Sequence, residues 1–289
     1  MTLAMAAGAV SDTVVKSIAA EMNMGQIMLL RGVVATVLIW LFARRRGALR
    51  PLRVAAHPMV VLRSLGEIGA TVTFLIALAR IPLANASALL QAIPLAVTMG
   101  AALFLREPVG WRRWTAIAVG FMGVLIVVRP GMEGFTADSL LVLATVAFAA
   151  VRDLATRRIP HGVPSLFIST VTAPAIAVTG ALLVVPLGGW QPVSPLAGAE
   201  LVAAAVLLLA NYQFMTMAVR AGDLSFVAPF RYTNLPAAIL LGFLVFGEVP
   251  DWLMIGGAAI IVGSGLYALH RERRLARSLV IGSTPPVPR

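Results

Sequence analysis

Residues 227–237 read VAPFRYTNLPA. Inside a long apolar stretch, Arg231, Tyr232, Thr233 and Asn234 follow one another between Pro229 and Pro236. Four consecutive polar-capable residues cover every side of a helix, so some must turn away from an apolar solvent. Each proline lacks an N–H, which frees carbonyls near residues 225 and 232. A guanidinium, a phenol, a hydroxyl and an amide beside free carbonyls are groups for gripping a ligand. Other charges also stand within apolar runs. Asp12 and Lys16 are spaced i,i+4 and can pair on one helix face, and Arg63 and Glu67 repeat that spacing. Either pair can line a pathway, or simply close on itself to make its helix tolerable in lipid. Arg31 has no acid at i±3 or i±4, so it needs a carbonyl, another helix's acid or a ligand. Asn85, Ser87, Gln91, Asn211, Tyr212 and Gln213 suit helix–helix hydrogen bonds, with Gln91 and Tyr212 also candidates for ligand contact. Phe74, Phe214, Phe230 and Tyr232 can stack on a planar ring or pack.

Catalysis finds no such footing. His57, His161 and His270 lie at loops or segment ends, no phosphate-binding Walker motif occurs, and the chain has no cysteine. No catalytic residue, metal or cofactor is expected.

The elements that position these residues follow from composition. The 289 residues are 60% hydrophobic and 12% charged, with mean hydropathy +0.93. Soluble domains run near half apolar and about a quarter charged, so a polytopic membrane protein is expected. Long apolar runs without period-two alternation favour a helical bundle over a barrel. A bilayer core needs about 20 helical residues. Ten spans are expected, near 2–20, 24–43, 59–80, 82–105, 113–130, 137–156, 165–187, 197–219, 223–246 and 251–270. The first stretch lacks a basic leader and is interrupted by Asp12 and Lys16, so it reads as a span, not a cleaved signal.

With the N-terminus inside, the loop arginines, those of 271–289 included, fall on the inner face, apart from Arg80 and Arg129. That bias places both termini in the cytoplasm. It also explains the net charge of +11 as topology, so no nucleic-acid partner is expected. The basic residues left within spans are Lys16, Arg31, Arg63 and Arg231. Residues 271–289 are expected to form a basic, disordered tail.

Residues 83–128 resemble residues 224–269. An offset of 141 positions aligns Glu107 with Glu248, Trp111 with Trp252 and Leu83 with Leu224, and leaves Pro94 and Pro236 one residue apart. Each copy has a proline-interrupted span, a Glu–Pro or Glu–Val–Pro turn, a Trp and a Gly-rich span. Glu107 and Glu248 read as capping or hairpin residues. Two halves of five spans follow, residues 1–130 and 133–270, and an odd number inverts the second half. Inverted repeats are a transporter device. The first copy carries Leu90, Gln91, Ala92 and Ile93 where the second carries Arg231–Asn234, so the polar cluster is one-sided.

The Glu–Pro turns, the Gly-rich final span of each half and the five-plus-five plan resemble the EamA-type drug/metabolite transporter superfamily. SDTVVKS in the first span, LRG in the second and APFRYTNL with FGEVPD in the ninth are similar to the branch holding bacterial S-adenosylmethionine and riboflavin uptake proteins. The resemblance implies an all-α inner-membrane secondary transporter of a small metabolite. Its expected cavity holds Lys16, Arg31, Arg63 and Arg231 against Asp12 and Glu67, favouring carboxylate, phosphate or carbonyl groups. A homodimer is compatible with it. The rivals are an exporter of amino-acid-like metabolites or drugs, and a non-transporting scaffold.

The topology has a direct test in this cysteine-free chain. Single cysteines at Gly47 and Gly162 are expected to react with an impermeant maleimide only from inside, and one at Gln191 only from outside. Any other labelling pattern refutes the layout.

Overall fold

The computed structural model of the chain describes residues 1–107, 109–130, 137–160, 162–221 and 228–282. Among these residues all regular structure is helical: α1 Thr2–Ile18, α2 Met24–Arg45, α3 Leu52–Ala55, α4 Pro58–Leu78, α5 Leu83–Leu90, α6 Ile93–Phe104, α7 Trp111–Val128, α8 Asp138–Arg157, α9 Ser165–Val184, α10 Pro195–Ala221, a 3₁₀ turn Ala228–Thr233, α11 Asn234–Phe246 and α12 Trp252–Gly282. Nine segments of these are each long and apolar enough to cross a membrane, counting α5 with α6 and the 3₁₀ turn with α11 as single spans. α1 is the tenth; at 17 residues it reaches the lower limit for crossing. The fold is ten transmembrane helices in two inverted five-helix repeats.

Three features depart from the sequence reading. The fourth span is broken: α5 ends at Leu90 and α6 begins at Ile93, because Pro94 cannot donate to the carbonyl of Leu90. The ninth is not one helix, since the chain turns as 3₁₀ over Ala228–Thr233 before α11 begins. The last helix continues to Gly282, where a disordered tail was expected from residue 271. Arg, Glu, Leu and Ala in RERRLAR are strong helix formers, so the helix outlasts the membrane. Residues 131–136, 222–227 and 283–289, with Pro108 and His161, lie outside the described residues.

The ends of the helices are fixed by side chains. Asn23 caps α2 by accepting the Gln26 N–H at 2.9 Å. The fully buried Gln26 then exchanges two bonds with the backbone of Gln191, at 2.7 and 3.0 Å, tying two loops of one face together. Asp251 caps α12 through the Met254 N–H at 2.8 Å and pairs with Arg129 at the end of α7. The Arg129 guanidinium, with the Met254 amide, holds the Asp251 carboxyl below the usual carboxylate range.

Packing runs mainly between the halves. α2 lies on α9 and α7 on α12, while α1 lies on α10 and α4 on α8. Exchanging the two halves maps the first two pairs onto themselves and turns α1·α10 into α8·α4. The contact α1·α11 likewise corresponds to α8·α6. In lipid no hydrophobic force drives helices together, so close approach of small residues must supply the attraction. A methyl on Gly32 would lie 2.9 Å from the Ala177 Cβ, and one on Gly66 2.9 Å from the Arg152 nitrogen and the Phe148 carbonyl oxygen. Gly123 and Gly257 meet reciprocally, each methyl falling 2.8 Å from the other's carbonyl oxygen.

Gly257→Leu is therefore expected to force α7 and α12 apart, costing about 1–3 kcal/mol. A lowered melting midpoint of the detergent-solubilised protein is the expected result. An unchanged midpoint would show that this contact does not hold the halves together.

Candidate functional site

The polar residues of the spans collect in a cavity of about 110 Å³ between α2, α4, α9 and α10. Its polar wall is Arg31, Arg63, Glu67, Thr71, Thr172 and Tyr212; Gly32, Ala35, Ala173 and Ile176 form the apolar side. The arrangement centres on Glu67. Its Oε2 lies 3.5 Å from Arg63 Nη2, one turn earlier on α4, and 3.5 Å from Arg152 Nη1, on α8 of the other half. Its Oε1 accepts from the Tyr212 hydroxyl of α10 at 3.4 Å. Arg63 also donates to Thr172 Oγ1 of α9 at 2.9 Å, and Thr172 shares a 3.1 Å contact with the Ser64 hydroxyl. The chain thus brings donors from both halves onto one carboxylate in a buried place, where removing that carboxylate leaves two guanidinium groups without their shared partner.

Arg31, buried on α2, has Asp12 of α1 as the opposite charge that acts on it from another helix. Arg231, on the 3₁₀ turn and half-buried, interacts with Asp153 and Arg152 of α8. Arg152 Nε in turn donates to Asp153 Oδ1 at 2.8 Å.

The structure therefore brings Arg31, Arg63, Glu67 and Tyr212 together on the cavity wall; Asp12 and Arg231 are not among its lining residues and stand beyond it, beside Arg31 and beside Arg152 and Asp153. It takes other expected residues elsewhere. Lys16 does not pair with Asp12; its Nζ contacts Glu248 Oε1 at 2.5 Å and the Ile81 carbonyl at 2.6 Å. The i,i+4 spacing allowed the Asp12 pair, but the tertiary fold offered Lys16 a carboxylate and a carbonyl at the helix end instead. Tyr232 is buried with its hydroxyl against Gly265 of α12, and that oxygen has no hydrogen-bond partner among the described residues. Asn234 donates to Ser87 Oγ at 3.0 Å, joining the two broken spans. Gln91 is buried at the break between α5 and α6, and Phe74 packs against the main hydrophobic core. Asn211 donates to the Ala4 carbonyl at 2.6 Å, a helix–helix bond as its type suggests.

Arg152 and Asp153 were not expected. The sequence reading counted Arg152 among loop arginines although the expected span 137–156 contained it; on α8 it turns inward to Glu67 of the other half. An Arg–Asp dipeptide inside a helix of apolar residues was the available signal. With Lys16 neutralised by Glu248, the expected excess of two positive charges becomes one: Arg31, Arg63, Arg152 and Arg231 stand against Asp12, Glu67 and Asp153. Among the described residues no three His, Asp or Glu side chains are placed to hold a metal ion. A larger recess of about 470 Å³ between α6, α7 and α8 is lined by apolar side chains alone, and so carries no recognition chemistry.

Residues 1–129 match the EamA-like transporter family. A riboflavin transporter of Vibrio cholerae is 32% identical over 254 residues, covering 87% of this chain and 84% of that protein. This chain belongs to the EamA-like transporter family. Other relatives of this transporter bear different cargo names. A pseudopaline exporter, CntI, of Pseudomonas aeruginosa is 30% identical, with 92% of both chains covered. An S-adenosylmethionine uptake transporter of Rickettsia felis is 24% identical over 94% of this chain and 92% of its own. A solved crystal structure covers 94% of this chain and 98% of its own, with a TM-score of 0.59 at 19% identity, a likeness of fold alone.

Glu67→Gln is expected to leave Arg63 and Arg152 without their shared carboxylate, at a cost on the order of 3 kcal/mol. Tyr212→Phe removes one neutral donor and is expected to cost about 1 kcal/mol. Chemical or thermal denaturation of the purified variants checks the ranking; a Tyr212→Phe loss equal to or larger than that of Glu67→Gln would refute Glu67 as the hub.

Proposed function

We propose that this EamA-like transporter is a secondary carrier of the bacterial inner membrane that takes up a planar heterocyclic metabolite, with riboflavin the first candidate and S-adenosylmethionine the second. The supporting observation is the arginine-rich cavity at the seam of the halves, with Glu67 as its shared anchor. Arg31 and Arg231 are the ligand contacts in this reading. Neither is committed to a one-to-one ion pair, and both carry fork-shaped donors that suit ring carbonyls or a carboxylate. Asp12, Arg63, Glu67 and Tyr212 complete the site, with the Tyr212 ring able to stack on the heterocycle. A cavity of about 110 Å³ holds only part of such a ligand. Ligand pockets usually exceed about 300 Å³, so loading requires the halves to part.

The reading includes the domain plan: residues 1–130 and 133–270 as the two repeats, residues 271–289 as a basic cytoplasmic extension, and both termini inside. The net positive balance suits riboflavin's electron-rich carbonyls and the carboxylate of S-adenosylmethionine, and suits the latter's sulfonium less. A second reading, export of an amino-acid-like metabolite, is favoured by the likeness to the pseudopaline exporters over nearly the whole chain.

Proteoliposome uptake of labelled riboflavin, with S-adenosylmethionine as competitor, tests the substrate. Removing one charged hydrogen-bond donor costs about 1.5–3 kcal/mol. Arg31→Ala and Arg231→Ala are therefore each expected to raise KM by about 10–100-fold at normal protein level. An unchanged KM in both variants, with folded protein, would remove these arginines from the site. Accumulation of substrate inside energised inverted vesicles, with no uptake into right-side-out vesicles, would favour the export reading.

A further inference from the structure

Two ion pairs join the halves at opposite faces of the membrane. At the face where α1 ends, Lys16 Nζ lies 2.5 Å from Glu248 Oε1, with side-chain exposures of 13% and 17%. Glu248 Oε2 also accepts the Leu83 N–H at 2.7 Å, and Lys16 donates to the Ile81 carbonyl. Glu248 belongs to the second repeat, while Lys16, Ile81 and Leu83 belong to the first. One carboxylate therefore seals α1, the start of α5 and the end of α11. At the other face, Arg157 Nη1 of the second repeat lies 3.8 Å from Glu107 Oε2 of the first, and the side chains are 50% and 45% exposed.

The offset of 141 that carries Glu107 onto Glu248 also carries Lys16 onto Arg157. The two pairs are thus one pair written twice, exchanged between repeats and turned over. Each takes its cation from the last turn of a repeat's first helix and its carboxylate from the other repeat's turn before the final helix. The other pairs that cross between halves, Arg80–Asp138, Arg129–Asp251 and Arg152–Glu67, lack this property. The same offset takes Arg129 to His270 and brings Asp251 back to Gly110, which cannot pair.

The two copies are in different states. The Lys16–Glu248 pair is short, shielded and reinforced by two backbone groups. The Arg157–Glu107 pair is long and half-solvated, so water screens it. Two near-equivalent seals, one made and one slack, are what an inverted repeat needs if its halves rock between two states of similar energy.

We propose that Lys16–Glu248 and Arg157–Glu107 are the alternating closures of the transport cycle, with the structure caught closed at Lys16–Glu248. On the orientation proposed above, that is the periplasmic closure. The inference rests on the transport reading, and not on the choice of cargo. Lys16 and Glu248 are positioning residues here: they set which face the cavity meets.

The cysteine-free chain permits a test without any substrate. Leu83 is buried at the Lys16–Glu248 closure and faces Gly242 of α11 across the seam. In a Leu83→Cys reporter, labelling by an impermeant maleimide from the periplasmic side measures opening there. Glu248→Gln is expected to raise that labelling rate at least about threefold, and the swap Lys16→Glu with Glu248→Lys to bring it back down. Glu107→Gln and Arg157→Gln, which weaken the opposite closure on exposed side chains and so spare the fold, are expected to lower the rate below that of the reporter alone. Glu248→Gln and Glu107→Gln shifting the rate in the same direction, or neither shifting it, overturns the proposal. Should Glu248→Gln fail to fold, Lys16→Gln serves the same arm. Riboflavin uptake is measured separately, so failure to transport that cargo leaves the labelling result intact.

Discussion

A charge inside the hydrocarbon must have a partner, and that constraint organises this protein. An ionised side chain at mid-membrane costs at least a few kcal/mol unless it meets an opposite charge, a polar group or water. Glu67 is where the requirement is met most economically. One carboxylate serves Arg63 from its own helix, Arg152 from the other half and the Tyr212 hydroxyl, so no single helix could be made stable with these residues alone. The partners exist only when the halves are together, which couples helix association to charge burial. It also explains why the polar cavity lies at the seam.

Elsewhere along the same seam the main chains approach closely. Gly123 against Gly257, Gly32 against Ala177 and Gly66 against α8 bring main chains close enough for dispersion contacts to accumulate. Small-residue contacts of this kind carry little directional preference. The polar bonds supply it: Asn234 to Ser87, Asn211 to Ala4, and Ser11 to the Ala204 carbonyl at 3.0 Å all run between halves. Packing gives attraction and the hydrogen bonds give register.

The broken spans separate what both repeats share from what one copy alone carries. α6 begins at Ile93 and α11 at Asn234, the same place in both repeats at the offset of 141. The break is therefore a property of the repeat. The residues at it are not shared: Arg231 has Leu90 as its counterpart. A repeat that needed only to bend would not place a guanidinium at the bend in one copy. The one-sided charge, whose electrostatic neighbours are Asp153 and Arg152, is the part of the break that the repeat does not require.

Much was legible in the sequence because lipid is a simple solvent. Span number, helical class, inverted repeat and transporter family follow from run lengths, loop arginines and the recurring Glu–Pro turn, each a local or periodic signal. The i,i+4 pair Arg63–Glu67 was likewise readable, since a helix fixes that distance by itself. Spacing could not decide Lys16. Asp12 stands one turn away, yet Glu248, distant in sequence, holds the lysine because the second half closes over the end of α1. Nor could it place Arg152, which lies within the expected span 137–156 but finds its partner, Glu67, on the other half. Tyr232 sat in the most suggestive stretch of the chain and went to pack on Gly265. The sequence by itself determined which groups must find partners in the membrane. Only the tertiary structure decided which partners they took, because those choices lie between helices that no local rule brings together.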